Sequence, residues 1–321
     1  MDNTKLTVSH APFWHDGDSL FQMNLNIMLA ALPAIIFGLI QFGAPAFGVL
    51  TLAVGSAMFW ELTFNLISKE PLTIGDLDAA VIGLMFGMML PAVTPFWVVI
   101  AGTFVALVVG KMIFGGIGAN PFNPALIGMS ILMLSWKVFF DFDSVLVNYD
   151  FSFTALAPLA AVKFQGAAAT EMFTMGDLFM GKEVGGIGTT CDIGIILGGI
   201  YLILRGYIRW EITVSFVAGI VLTALCFKMA DANAYAGPFF HLFSGYTLFG
   251  AFFLATENAS SPVNTIPMFI YGFLCGLMII LIRNVGAYAD GTVLAVLLLN
   301  LVNPLIDNIR PTALGRGVNN A

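Results

Sequence analysis

Charge is scarce in this chain: 12 basic and 19 acidic residues among 321, or 10%, for a net charge of −7. Soluble domains carry about 25% charged residues, and this chain is instead 59% hydrophobic, with a mean hydropathy of +0.94. That balance excludes an ordinary soluble globule and a disordered chain, which needs low hydrophobicity. It also excludes a transmembrane β-barrel, whose strands alternate apolar and polar residues. Lys and Arg are too few and too dispersed for a phosphate-binding surface, so no nucleic-acid partner is expected. Cysteine is limited to Cys191, Cys226 and Cys275, with no C-x-x-C pair, and His10, His15 and His241 share no ligand spacing. A self-sufficient zinc or iron–sulfur centre is therefore excluded. A Walker lysine loop and a G-x-S-x-G elbow are also missing, so any chemistry needs a bound cofactor or a partner.

What the chain has is long apolar runs, and a spanning helix needs about 20 such residues. Candidates are Met23–Phe42, Ala44–Ile67, Leu77–Met89, Phe96–Gly115 and Pro124–Phe140. After a polar interval follow Asp192–Leu204, Trp210–Phe227, Pro238–Ala255, Pro267–Ile282 and Ala287–Ile306. The expected architecture is an all-α polytopic membrane protein of about ten transmembrane helices. Segments 1–140 and 192–321 form two five-helix halves around the interval 141–191. Leu77–Met89 and Asp192–Leu204 are short for a bilayer, so each tilts little or is broken. The first run lacks a small-residue cleavage site and reads as a span, not a signal peptide.

Basic residues in short loops set orientation. Lys5, Lys69, Lys111, Arg205, Arg209, Arg310 and Arg316 fall on one side, and Lys137, Lys228 and Arg283 oppose them outside the long interval. Both termini are thus expected in the cytoplasm, with 141–191 on the other face of the bilayer.

Asn-x-x-Asn-Pro occurs at Asn120–Pro124, opening the fifth run, and at Asn300–Pro304, closing the tenth. Five runs per half with a recurring motif suggest an inverted-topology repeat, although Asn-Pro is also a common turn. Pro91–Pro95 and Ala255–Asn264 interrupt apolar runs. The first is expected to be a surface loop; the second, rich in polar side chains, is expected to line a site. Glycine clusters occur at Gly115–Gly118 and Gly185–Gly188, suited either to close ligand approach or to helix packing. Glu61, Asp192, Glu211 and Asp290 lie near span ends. Glu61 and Asp192 are carried as ion-pathway candidates, since an intramembrane charge is expensive.

Gly115–Ala125, Gly185-Gly-Ile-Gly-Thr-Thr190, Ser260-Ser-Pro-Val263 and Asp290–Asp307 together resemble the RnfD family, which includes the related NqrB subunits. Val8-Ser-His-Ala-Pro12 resembles that family's opening segment. The resemblance implies a urea-transporter-like fold of two inverted five-helix repeats. It implies a multi-pass subunit of the bacterial cytoplasmic (inner) membrane, working with RnfA, RnfB, RnfC, RnfE and RnfG. In such a complex, electron flow between ferredoxin and NAD is coupled to sodium or proton movement. It also implies FMN, held through a phosphoester to a Thr in the interval, and leaves room for a second, non-covalent flavin. Here the matching stretch is Thr154-Ala-Leu-Ala157-Pro158-Leu159, with Ala157 at the acceptor position. Alanine cannot form the ester. FMN is then attached at Thr154 in a shifted register, held non-covalently, or absent from this site. In the first two cases Gly185, Gly186, Gly188 and Thr189 are expected to wall the ring. The competing reading is a stand-alone channel or transporter for a small polar solute on the same fold.

Overall fold

The computed structural model describes residues 18–146, 149, 151 and 156–309, and these are helical with no strand among them. Helix α1 (Leu20–Phe42) starts at a capping box, in which the Ser19 hydroxyl accepts the Gln22 amide and the Gln22 side chain accepts that of Ser19. It stops at Gly43, whose φ of 68° turns the chain at once into α2 (Ala44–Ser68), with Pro45 in the first turn. Then come α3 (Asp78–Met89), α4 (Phe96–Phe104) and α5 (Pro124–Ser135). A π-turn, Val105–Val109, extends α4. The expected fifth run is cut short, because α5 ends at Ser135 and Lys137–Phe140 forms a 3₁₀ turn.

Short helices α6 (Phe142–Val145), α7 (Pro158–Gln165) and α8 (Met175–Met180) occupy the interval. The second half holds α9 (Asp192–Arg205), α10 (Trp210–Ala230), α11 (Pro238–Leu242), α12 (Thr247–Phe249), α13 (Thr265–Asn284) and α14 (Thr292–Ile306). Another π-turn, Gly250–Leu254, follows α12. Among the described residues, five helical segments are long and apolar enough to cross a bilayer: α1, α2, Phe96–Phe114, α10 and α13. Helices α3, α5 and α14 are shorter and apolar. The exposed faces of α1 and α2 carry Ile36, Ile40, Phe59 and Ile67, as lipid contact requires.

Helices pack closely through small residues, since apolar burial gives little drive inside lipid. Helix α1 lies on α9, and α10 lies on α13. At the first contact, a Cβ on Gly198 would fall 2.0 Å from the Ala30 carbonyl oxygen. Gly198→Val therefore forces the two helices apart, at a cost of about 3 kcal/mol, the upper end for overpacking. Thermal denaturation of the purified chain in detergent reads this as a lowered Tm, and an unchanged Tm contradicts the packing.

Helix α3 is buried along almost its whole length and ends inside the protein. Its last carbonyls need partners, because lipid-depth backbone cannot remain unpaired. The amides of Ile187 and Gly188 donate to Leu90 O and Met88 O at 3.0 and 2.9 Å, and Tyr246 Oη donates to Met89 O at 2.9 Å. This junction explains why 91–95 is not the surface loop expected from sequence: Ala92 and Thr94 are buried beside it.

Candidate functional site

A cavity of about 460 Å³ opens at the end of the bundle that carries the interval. Its walls come from the stretch after α5, from α6 and α7, from Val184 and Gly185, from the Gly245–Tyr246 turn, and from 287–290 ahead of α14. Phe140, Phe142, Leu159, Tyr246 and Tyr288 make it largely aromatic and apolar, with Lys137 and Lys163 and the acids Asp141, Asp143 and Asp290 as its charges.

Each wall is fixed by polar contacts. Lys163, on α7, donates to three carbonyls ahead of α14: Arg283 O at 3.2 Å, Gly286 O at 2.7 Å and Tyr288 O at 2.6 Å. Arg283, buried on α13, donates to His241 O (2.7 Å), Ser244 O (3.2 Å), Thr247 Oγ1 (2.7 Å) and Asp290 Oδ1 (3.0 Å). Asp290 in turn accepts the Tyr246 amide at 2.7 Å, and the amide and hydroxyl of Thr292 at 2.9 and 2.7 Å. Gly245 has φ +70°, and a Cβ there would sit 2.4 Å from Asp290 Oδ2, so the turn admits only glycine. At the start of α7, Asp143 accepts the Ala157 amide at 2.6 Å. Burial lifts the Asp143 carboxyl above the usual carboxylate range; the Ala157 N–H pulls it down, and the neighbouring Asp141 charge pushes it up.

The residues singled out from sequence separate on folding. Thr154 and the 8–12 segment lie outside the described residues. Ala157 and Gly185 line the cavity. Gly186 and Gly188 do not; they press against the Met88 and Met89 backbone and the Met88 side chain. Thr189 is buried and donates to Gly186 O at 3.3 Å. Glu61 is fully buried far along the chain, paired with Lys111 at 2.7 Å. Asp192 is buried at the start of α9, with Oδ2 lacking a hydrogen-bond partner among the described residues. Glu211 opens α10, and Asp290 belongs to the Arg283 network.

Three of the four asparagines bond to residues 254–260, at and just after the end of the second π-turn. Asn123 caps α5 by accepting the Ala125 amide at 3.0 Å, and donates to Leu254 O at 3.1 Å. Asn120 donates to Glu257 Oε1 at 3.3 Å, and Asn303 to Ser260 O at 2.8 Å. Asn300, its amide nitrogen 2.6 Å from Tyr271 Oη, accepts the Asn123 amide at 3.0 Å. The two motifs thus meet across the molecule, one capping a helix start and the other within the end of α14.

Sequence reasoning missed Glu183, Asp143, Lys163 and Tyr246. Only the first carried a signal, a carboxylate next to a glycine cluster within an apolar neighbourhood.

The motif order in sequence agrees with a comparison over nearly the whole chain. A family model of the NQR2, RnfD, RnfE family matches residues 7–315. The chain belongs to this family. It is 33% identical over 309 residues to the D subunit of the proton-translocating ferredoxin:NAD(+) oxidoreductase complex of Clostridium ljungdahlii, covering 94% of this chain and 93% of that protein. It is equally similar, 33% over 309 residues, to the D subunit of the Na(+)-translocating ferredoxin:NAD(+) oxidoreductase complex of Acetobacterium woodii, covering 96% and 94%. The D subunit of the ion-translocating oxidoreductase complex of Yersinia pseudotuberculosis is 31% identical over 338 residues, covering 94% and 96%.

Proposed function

We propose that this chain is the integral membrane subunit of an Rnf-type complex coupling electron transfer between ferredoxin and NAD to ion translocation. The match to these D-subunit relatives over nearly the whole length carries this reading. RnfA, RnfB, RnfC, RnfE and RnfG are its partners, and it lies in the bacterial inner membrane with both termini cytoplasmic. The cavity then faces away from the cytoplasm. Ten spanning helices in two inverted repeats are supported by the pairing pattern: α2 packs on α4 as α10 packs on α13, and α1 meets α9.

The cavity suits a flavin ring better than a flavin ester. Its volume lies in the range of small-molecule sites, and aromatic side chains supply stacking surface. At position 157 there is no hydroxyl, and the amide that a phosphate would seek at the start of α7 is bound by the Asp143 carboxylate. FMN would therefore be held here without a covalent bond, by the α7 start and Tyr246, with Lys137 as a cation available to its phosphate. Flavin supplies one- and two-electron redox chemistry when bound. The chain's own work is to exclude water, to fix the ring between Leu159 and the Gly245–Tyr246 turn, and to set its electrostatic surroundings through Asp143 and Asp290.

Purification of the tagged full-length chain in mild detergent tests both parts. The other subunits co-purify, and flavin appears in the native fraction but leaves on acid precipitation. A fluorescent band on a denaturing gel that disappears in Thr154→Ala would overturn the non-covalent reading. Solute flux by the chain alone, without co-purifying subunits, would favour the stand-alone transporter.

The acid at the α7 start gives a further expectation. As pH falls through the raised Asp143 pKa, the carboxyl takes up a proton and the wall loses a negative charge. Binding of anionic FMN tightens toward acid, and Asp143→Asn, which keeps the acceptor, is severalfold tighter at neutral pH and loses that pH dependence. Fluorescence-quenching titration measures it; an unaltered pH profile contradicts the assignment.

A further inference from the structure

Behind the cavity wall lies a second group of polar side chains that the flavin reading does not use. Glu183 is 2% exposed; its Oε1 accepts a hydrogen bond from the Gly245 amide at 3.3 Å, and its Oε2 has no partner among the described residues. Asp192 is 3% exposed, with Oδ2 unpartnered, and the two carboxylates are close enough to repel. Thr190, between them in sequence and buried, has an unpartnered Oγ1, and its methyl lies against Gly185. Gln41, near the end of α1, donates its Nε2 to Glu183 O at 3.2 Å and leaves its buried Oε1 unpartnered.

Among the described residues, no Lys, Arg or His nitrogen lies within 4 Å of either carboxylate. Arg283, a cation whose charge reaches Glu183, is engaged by Asp290 and by three neutral oxygens. Asp290, whose charge reaches Glu183, and Cys191, beside Asp192, add no positive charge to the pair. The dipole of α9 favours an acid at its first residue and so accounts for Asp192. It does not account for Glu183, which stands outside any helix. Two buried, uncompensated carboxylates need a positive charge, and hard oxygen ligands suit hard cations. No group of three or more His, Cys, Asp or Glu occurs among the described residues, which disfavours a transition-metal centre.

We propose that Glu183 and Asp192, with Thr190 Oγ1 and Gln41 Oε1 beside them, form a monovalent-cation site for sodium or a proton behind the cavity wall. It deepens the ion-translocating reading and rests on it for its purpose. Its placement gives a direct coupling route. Consecutive amides of one turn, Gly245 and Tyr246, bind Glu183 and Asp290, while both residues line the cavity. A change of charge in the cavity acts on the same turn that holds Glu183, and so biases cation affinity.

The test uses the purified full-length chain in detergent, and so is independent of ferredoxin-linked activity. Tm is measured against NaCl, with N-methylglucamine chloride holding ionic strength, and against pH without sodium. A bound cation stabilises the folded state by mass action. If the site takes sodium, Tm rises with NaCl; if it takes a proton, Tm rises only on acidification. In either case Glu183→Gln and Asp192→Asn move the half-maximal concentration at least tenfold or flatten the response. Thr190→Val and Gln41→Met, milder changes that preserve the fold, weaken the sodium response severalfold and leave a proton response in place. The proposal is overturned if wild type responds to neither ion, or if the carboxamide variants respond as wild type does. Such a result would leave membership of the complex standing, because co-purification reads that separately.

Discussion

Lys111→Met destabilises the chain by about 3–5 kcal/mol, the range for breaking a buried ion pair by removing one partner. Lys111 is 1% exposed, at the end of the π-extended α4, and its Nζ lies 2.7 Å from Glu61 Oε1 and 2.8 Å from Asp78 Oδ2. Glu61 Oε1 also accepts the Thr73 hydroxyl at 3.0 Å, and Asn65 donates to that hydroxyl at 3.0 Å. One ammonium thus ties α2, α3 and α4 together, and its loss leaves two carboxylates facing each other with no cation. Lys111→Met/Glu61→Met regains part of the loss, since Asp78 is 24% exposed and reaches water. Thermal denaturation in detergent across that double-mutant cycle measures the coupling. Strict additivity would contradict it. The pairing also separates Glu61 from the other ion-pathway candidate: its charge is already balanced, and that of Asp192 is not.

Arg283→Met has an effect of similar size, about 3–5 kcal/mol, and a different consequence. It strands the Asp290 carboxylate and frees the carbonyls of His241 and Ser244, so the Gly245–Tyr246 turn loses its support. Because that turn forms the cavity wall, flavin retention falls along with Tm. Arg283→Lys keeps a charge but cannot reach four acceptors at once, and it restores stability only in part. Tm and the flavin-to-protein ratio of the purified chain are measured together. A variant that loses stability yet keeps full flavin occupancy would place the ligand elsewhere.

The apolar runs were legible because lipid leaves a hydrophobic segment few alternatives to a helix. The break between the runs 23–42 and 44–67 falls where Gly43 turns the chain, whereas the start of α1 at Leu20, set by the Ser19 cap, lies ahead of the run that begins at Met23. The glycine cluster at 185–188 was visible, but its division of labour was not. Gly185 faces the cavity, while Gly186 and Gly188 are fitted against α3, a neighbour distant in sequence. Glu61 and Lys111 are likewise paired only by the packing of α2 on α4. The Asn-x-x-Asn-Pro motifs read as a repeat in sequence, yet they fall at opposite ends of their helices and join the two halves by contact. Pro91–Pro95 looked like a surface loop because nothing local shows that the carbonyls of Met88 and Leu90, just before it, take the amides of Gly188 and Ile187.

Ferredoxin-dependent NAD reduction in membranes lacking this chain tests the central claim most directly. The activity is lost on deletion and returns when the full-length chain is supplied in trans. Undiminished ferredoxin-dependent NAD reduction in the deleted membranes, with uptake of a small polar solute lost instead, would contradict it.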